Sequence, residues 1–158
     1  MRVLVVYDSK TGNTEKMAFG VAEGIEQMNE INVILKRVDD TAIKDLLKVD
    51  GIIVGSPTYY GQMSAKIKAL LDKSVEIHGE LEGKVGAAFT SSGGTASGVE
   101  TTLLSILEAM LVHGMIIQGN PHGKHYGAAV VGSPNDEELQ ICRELGERTA
   151  ILVAKLKT

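Results

Sequence analysis

The chain has 158 residues, 44% hydrophobic and 23% charged, a size and balance that suit one globular domain spanning 1–158 with a sizeable core. Its formal net charge is −4 with the signs mixed along the chain and no basic stripe, which argues against nucleic acid as a partner. No stretch approaches the ~18 apolar residues of a membrane span, and a single cysteine, Cys142, excludes an intrachain disulfide or a thiolate metal cluster.

The first element is RVLVVY (2–7), a continuous apolar run of the kind found in strands covered on both faces. The opening MRVLVVYDSK is too short in its apolar run for a secretory signal and lacks a small-residue cleavage site, so a cytoplasmic location is expected. The strand runs into DSKTGNTE (8–15), and a helix follows in which Met17, Val21, Ile25 and Met28 recur at helical spacing. INVILKRV (31–38) is the second strand, and DDTAIKDLLKVD leaves room only for a short helix. GIIVGS (51–56) is the third strand and opens into PTYYGQMS. Ser64 can cap the next helix, which carries Ile67, Leu70 and Leu71 on one face. KVGAAFT (84–90) is the fourth strand, followed by the loop SSGGTASGVE. The helix VETTLLSILEAMLVHG ends at Gly114, a C′ residue by its position. MIIQG (115–119) is the fifth strand, and GAAVVGS (127–133) completes or extends it. The last helix opens with SPNDEE, where Ser133 is the expected cap and Pro134 the first helical residue. Cys142 shares a face with Leu139, Leu145, Leu152 and Leu156 and is read as a core residue.

This alternation predicts an α/β fold: a doubly wound, five-stranded parallel sheet with helices on both faces. Ligands of such sheets bind beyond the carboxyl ends of the strands, where the strand order reverses. The loops after strands one, three and four are therefore the candidate site. In the first, Ser9, Thr11, Asn13 and Thr14 offer polar side chains, Gly12 allows a tight path, and the helix directs free N–H groups at the loop. Lys10 is its one cation, so a phosphate here would be held chiefly by neutral donors. An ordinary capped helix, with Asn13 or Thr14 as the cap, is the competing reading. Rival anion folds fail on their residues. There is no Gly-Lys-Ser/Thr for a Walker A loop and no G-x-G-x-x-G after strand one. The first loop has no cysteine for a low-molecular-weight phosphatase, and Asp8 stands without the acidic cluster of a receiver domain.

SKTGNT (9–14) resembles the FMN phosphate loop of the flavodoxin-like family, [ST]-x-T-G-x-T, at every fixed position. GSPTYYGQMSAKIKALLD (55–72) resembles the second flavin loop of the WrbA-type NAD(P)H:quinone oxidoreductase branch, and residues 89–119 and 125–138 resemble its third loop, next helix and tail. The resemblance implies strand order 2-1-3-4-5 and noncovalent FMN, with Ser9, Lys10, Thr11, Gly12, Asn13 and Thr14 on the phosphate. It implies Pro57, Thr58, Tyr59, Tyr60 and Gly61 along the isoalloxazine, and Ser91, Ser92, Gly93, Gly94, Thr95, Ser97 and Gly98 around its other side. Hairpin or surface packing of the tyrosines, and a plain glycine-rich turn, are the competing readings. His113, in the branch's HGM segment, lies at the wrong end of its helix for the flavin of its own chain. A contact would come from a neighbouring subunit of a homo-oligomer; an interaction with the helix dipole is the alternative. The chain lacks the branch's insertion after strand two and its tryptophan. His122, His125 and Tyr126 could partly cover a flavin face, while no metal site is supported. No side chain is singled out as catalytic. Two functions follow: an oxidoreductase passing electrons from NAD(P)H through FMN to a quinone, or a carrier between redox-protein partners.

Overall fold

The computed structural model describes residues 1–157. Strands β1 (Arg2–Tyr7), β2 (Asn32–Arg37), β3 (Gly51–Pro57), β4 (Val85–Ser92) and β5 (Ile116–Ile117) form a parallel sheet in the order β2-β1-β3-β4-β5. A sixth strand, β6 (Ala128–Val131), pairs in parallel with the upper half of β4. β5 takes Val85 and Gly86 of β4, and β6 takes Phe89 to Ser92. The two pieces thus share one edge position, interrupted by residues 118–127. The fifth strand expected over 115–119 is only Ile116–Ile117, and the segment near 127–133 extends it as a separate piece.

The helices are α1 (Asn13–Glu26), α2 (Ile43–Leu47), α3 (Ala65–Lys73), α4 (Val99–Val112) and α5 (Asp136–Lys157). Strand side chains alternate between two layers. Val3, Val5 and Ile53 point into a core closed by Met17, Val21 and Ile25 of α1 and by Cys142 and Val153 of α5. Leu4, Val6 and Val54 point the other way, against Leu46 of α2, Ile67 and Leu70 of α3, and Leu103, Ile106 and Met110 of α4. Burial on both faces is why the strands read as unbroken apolar runs. α1 and α5 cross closely: a Cβ on Gly24 would lie 1.9 Å from the Arg143 carbonyl oxygen, and one on Gly146 would lie 2.0 Å from that of Val21.

Several local expectations hold. Ser64 caps α3, its Oγ accepting from Ile67 N–H at 3.4 Å, and Gly114 is left-handed (φ 75°) just beyond α4. DDTAIKDLLKVD is a 3₁₀ turn (Val38–Asp40) followed by the short α2. Others shift. α5 is capped by Asn135, which accepts from Glu138 N–H at 2.9 Å while Glu138 accepts from Asn135 N–H at 3.0 Å. Ser133 instead accepts from Lys16 Nζ at 2.9 Å, and Pro134 precedes the helix. Cys142 is buried as expected, and burial pushes its thiol up to about 12. Leu156, expected on the same face, is exposed.

Candidate functional site

The first loop links β1 to α1 and has no side-chain cap. The N-cap residue is Gly12, left-handed at φ 93°, so neither Asn13 nor Thr14 caps the helix. Ser9 is buried, and its Oγ accepts from Gly12 N–H at 3.1 Å. That bond folds the loop back on itself. The N–H groups of Lys10, Thr11, Asn13, Thr14 and Glu15 have no acceptor among the described residues. Thr14 is buried and shares a 2.8 Å hydrogen bond with Ser91, joining the first loop to the end of β4.

The second loop is anchored at its start. Thr58 N–H donates to Ser91 O at 2.7 Å, and the Thr58 and Thr90 hydroxyls meet at 2.8 Å. Tyr59 and Gln62 then exchange backbone bonds of 2.9 and 3.0 Å. The two residues between them, Tyr60 (φ 50°) and Gly61 (φ 73°), are both left-handed, which defines a tight primed turn. Tyr60 is fully exposed at its tip and Tyr59 is exposed beside it. A bulky residue in that backbone region costs about 1–3 kcal/mol, and such strain concentrates at functional loops. Pro57 closes β3 and is buried. Between the first two loops lies a cleft of about 390 Å3, lined by Asp8, Ser9, Lys10, Tyr59, Ser64 and Lys66.

The third loop repeats the pattern of the first. Ser91 and Ser92 finish β4, and Gly98, left-handed at φ 97°, is the N-cap of α4 without a side-chain bond. Ser92 and Ser97 donate to Gly94 O at 2.9 and 2.6 Å. The N–H groups of Gly93, Gly94, Thr95, Ala96, Ser97 and Gly98 have no acceptor among the described residues. Thr101 Oγ1 donates to Gly61 O at 2.6 Å, and a Cβ on Gly98 would stand 2.4 Å from Gly61 Cα. The second and third loops are therefore appressed backbone to backbone.

One group of residues here was not legible as part of the site. Arg37, the last residue of β2, pairs in register with Tyr7. Its Nη2 donates to Ser9 O at 2.6 Å and its Nη1 to Glu15 Oε1 at 2.7 Å. Tyr7 Oη donates to the same carboxylate oxygen at 2.7 Å, and the guanidinium lies 5.5 Å from the Tyr7 ring centroid. Burial, and then the bond to Glu15, raise the Tyr7 hydroxyl above its ordinary value, so it stays a donor. The available signal was positional: in a 2-1-3 order, the end of strand two lies beside the end of strand one.

His113 is the predicted residue that the structure keeps away from the loops. It follows α4 at the opposite end of the helix and is buried, with Nε2 2.6 Å from Ser74 Oγ and its ring 5.8 Å from that of His78. The Ser74 hydroxyl donates its hydrogen to Leu71 O at 2.6 Å, so it accepts from His113 Nε2–H. Nδ1 is then a bare acceptor and has no partner among the described residues. Burial, and then His78, hold His113 below its usual pKa. His122 and His125 sit in the 118–127 segment on Asn120: His122 N–H bonds Asn120 Oδ1 at 3.0 Å, and His125 Nδ1 lies 2.7 Å from Asn120 O. Among the described residues no cluster of three metal-binding side chains occurs, and no helix is long and apolar enough to cross a membrane.

A parallel 2-1-3-4-5 sheet with two uncapped helix starts at its carboxyl end defines a flavodoxin-type α/β protein. Residues 40–123, just over half of the chain, match the family described as NADPH-dependent FMN reductase. The chain is 44% identical to a flavodoxin of Aquifex aeolicus (strain VF5) over 161 aligned positions, covering 97% of this chain and 87% of that one. It is 38% identical to an NAD(P)H dehydrogenase (quinone) of Archaeoglobus fulgidus over 189 positions, covering 98% of each. Among solved structures, a flavodoxin, WrbA-like protein from Agrobacterium tumefaciens superposes with a TM-score of 0.84 at 26% identity, again covering 98% of each chain. The chain belongs to the flavodoxin-like family, a class of redox proteins whose cofactor is FMN.

Proposed function

We propose that the chain holds one FMN noncovalently and uses it to pass electrons from NAD(P)H to a quinone or similar acceptor. The observation that carries the cofactor reading is the first loop: five backbone N–H groups without acceptors at the uncapped, positive end of α1. A phosphate would satisfy such a cradle. Ser9 and Gly12 shape the cradle, Lys10 supplies a cation at its mouth, and the Thr11, Asn13 and Thr14 side chains add polar contacts. Tyr59 and Tyr60 offer rings on which a flat π-system stacks, framed by Pro57, Thr58 and Gly61. The free N–H groups from Gly93 to Gly98, with Ser91 and Ser92 behind them, suit the polar edge of the same ring system. FMN, when bound, supplies the redox chemistry; these residues bind it, orient it and set its electrostatics. No side chain is assigned a proton transfer. His113 is committed to Ser74 within its own chain, so we assign it to packing rather than to a flavin of a neighbouring subunit.

The cleft beside Tyr59 supports the oxidoreductase reading, because it leaves an open approach walled by the Tyr59 ring and by both signs of charge, Asp8 with Lys10 and Lys66. Mixed charge is also unlike the strongly acidic face of a carrier. The carrier reading draws on a different observation. Alignment to the Aquifex flavodoxin takes 161 positions, close to the 158 residues of this chain, whereas alignment to the quinone dehydrogenase takes 189, so that protein carries additional segments.

Two measurements test these statements. Thr11→Ala combined with Thr14→Ala removes two hydroxyl donors, and bonds to charged groups contribute about 1.5–3 kcal/mol each. FMN affinity should fall at least tenfold in a fluorescence titration; an unchanged affinity removes the hydroxyls from the site. Anaerobic stopped flow with NADH and NADPH should then bleach the bound flavin rapidly. If neither nucleotide does so, the carrier reading replaces the enzyme.

A further inference from the structure

We propose that Arg37 is the positioning residue of the phosphate cradle, acting through the Ser9 carbonyl and the Glu15 carboxylate. The inference rests on the FMN reading above and names a residue outside the loop that makes it selective for a phosphorylated flavin.

The argument begins with the peptide between Ser9 and Lys10. Its C=O and N–H point in opposite directions, because a trans peptide is planar. Arg37 Nη2 holds the Ser9 oxygen at 2.6 Å on the β2 side of the loop. The Lys10 N–H is therefore turned away from β2, and no acceptor among the described residues meets it. Ser9 Oγ takes the Gly12 N–H at 3.1 Å, so the residue is held at its backbone and at its side chain. If the Ser9 peptide flipped, a carbonyl oxygen would face the phosphate in place of a donor.

The second part is charge. Glu15 sits in the first turn of α1, next to the cradle, where a bare carboxylate would repel a phosphate. Arg37 and Tyr7 both donate to its Oε1, each at 2.7 Å. The guanidinium thus neutralises the one carboxylate of that turn and leaves a second fork on the loop backbone. Only a planar, multi-donor cation meets both demands at once, so a lysine would replace Arg37 in part. Strand register supplies the placement: Arg37 lies opposite Tyr7 at the carboxyl end of β2.

The test compares FMN with riboflavin, which lacks the phosphate. Dissociation constants for both are measured on the apoprotein of the wild type, Arg37→Gln and Arg37→Lys, with urea unfolding of each to record its stability. The wild type should prefer FMN strongly. Arg37→Gln should weaken FMN at least tenfold and riboflavin less than twofold, and Arg37→Lys should fall between. A merely structural role for Arg37 would weaken both ligands alike, and that result overturns the proposal, as does a wild-type FMN-to-riboflavin ratio in Arg37→Gln. If that variant does not fold, Arg37→Lys alone decides, through loss or retention of the same ratio. A wild-type protein with no preference for FMN over riboflavin would instead remove the phosphate-cradle reading itself.

Discussion

The four long helices begin in two ways. All follow strands of the parallel sheet and start at the same, carboxyl end, yet only two are capped. α3 has Ser64 on the Ile67 N–H, and α5 has the reciprocal pair of Asn135 and Glu138. α1 and α4 begin at left-handed glycines, Gly12 and Gly98, and their first N–H groups find no partner. A side-chain cap contributes about 1 kcal/mol relative to alanine but only a few tenths relative to glycine, so glycine at these two starts gives up little stability and leaves the N–H groups open. A ligand that accepts from those N–H groups would take the place of the caps. Position at the end of the sheet is thus shared by four helices, and the missing side-chain cap sets apart the two whose loops are proposed to hold FMN.

Gly98→Ala should produce the largest effect. Its Cβ would meet Gly61 Cα at 2.4 Å, at a φ of 97° that an alanine resists, so the second and third loops must part. FMN affinity should drop by about a hundredfold or more while circular dichroism shows the fold retained. Gly12→Asp comes next. A Cβ there meets nothing within 4 Å but is strained at a φ of 93°, so Gly12→Ala is the control for that strain and the added change is a carboxylate beside the cradle. FMN should weaken by about tenfold or more, with riboflavin little affected.

The capped helices should answer oppositely. Ser64→Ala and Asn135→Ala should each lower unfolding free energy by about 1 kcal/mol and leave FMN affinity within about twofold. A large loss of FMN affinity in either would erase the distinction between the two pairs. The smallest effect belongs to the far end of α4. His113 is neutral in the folded chain because burial and His78 hold its pKa below 6.5. The unfolded chain takes up a proton there as the pH falls below 6.5, so stability is full above that value and declines beneath it, by at most about 1.4 kcal/mol per pH unit. His113→Asn should flatten that decline in urea unfolding at pH 7 and 5.5, with no change in FMN affinity.

The amino-acid sequence alone determined much of this. Runs such as RVLVVY and GIIVGS are apolar throughout because both faces of the sheet are buried, and that fact survives without any knowledge of partners. The same holds for the S-x-T-G-x-T pattern and for the polar loops after strands one, three and four. Ser64 and Gly114 were legible because a cap depends on residues within one turn of itself. Tertiary structure decided the rest. Whether Asn13 or Thr14 capped α1 depended on where the chain entered the helix, and Thr14 went instead to Ser91, 77 residues away. Ser133 was drawn off by Lys16 from α1, leaving Asn135 to cap α5. His113 turned inward to Ser74. Arg37 reached the first loop only because β2 lies in register beside β1. A short polar motif can announce a phosphate, since its donors are local. The groups that hold those donors in place come from distant strands, and their positions are set by sheet register and packing.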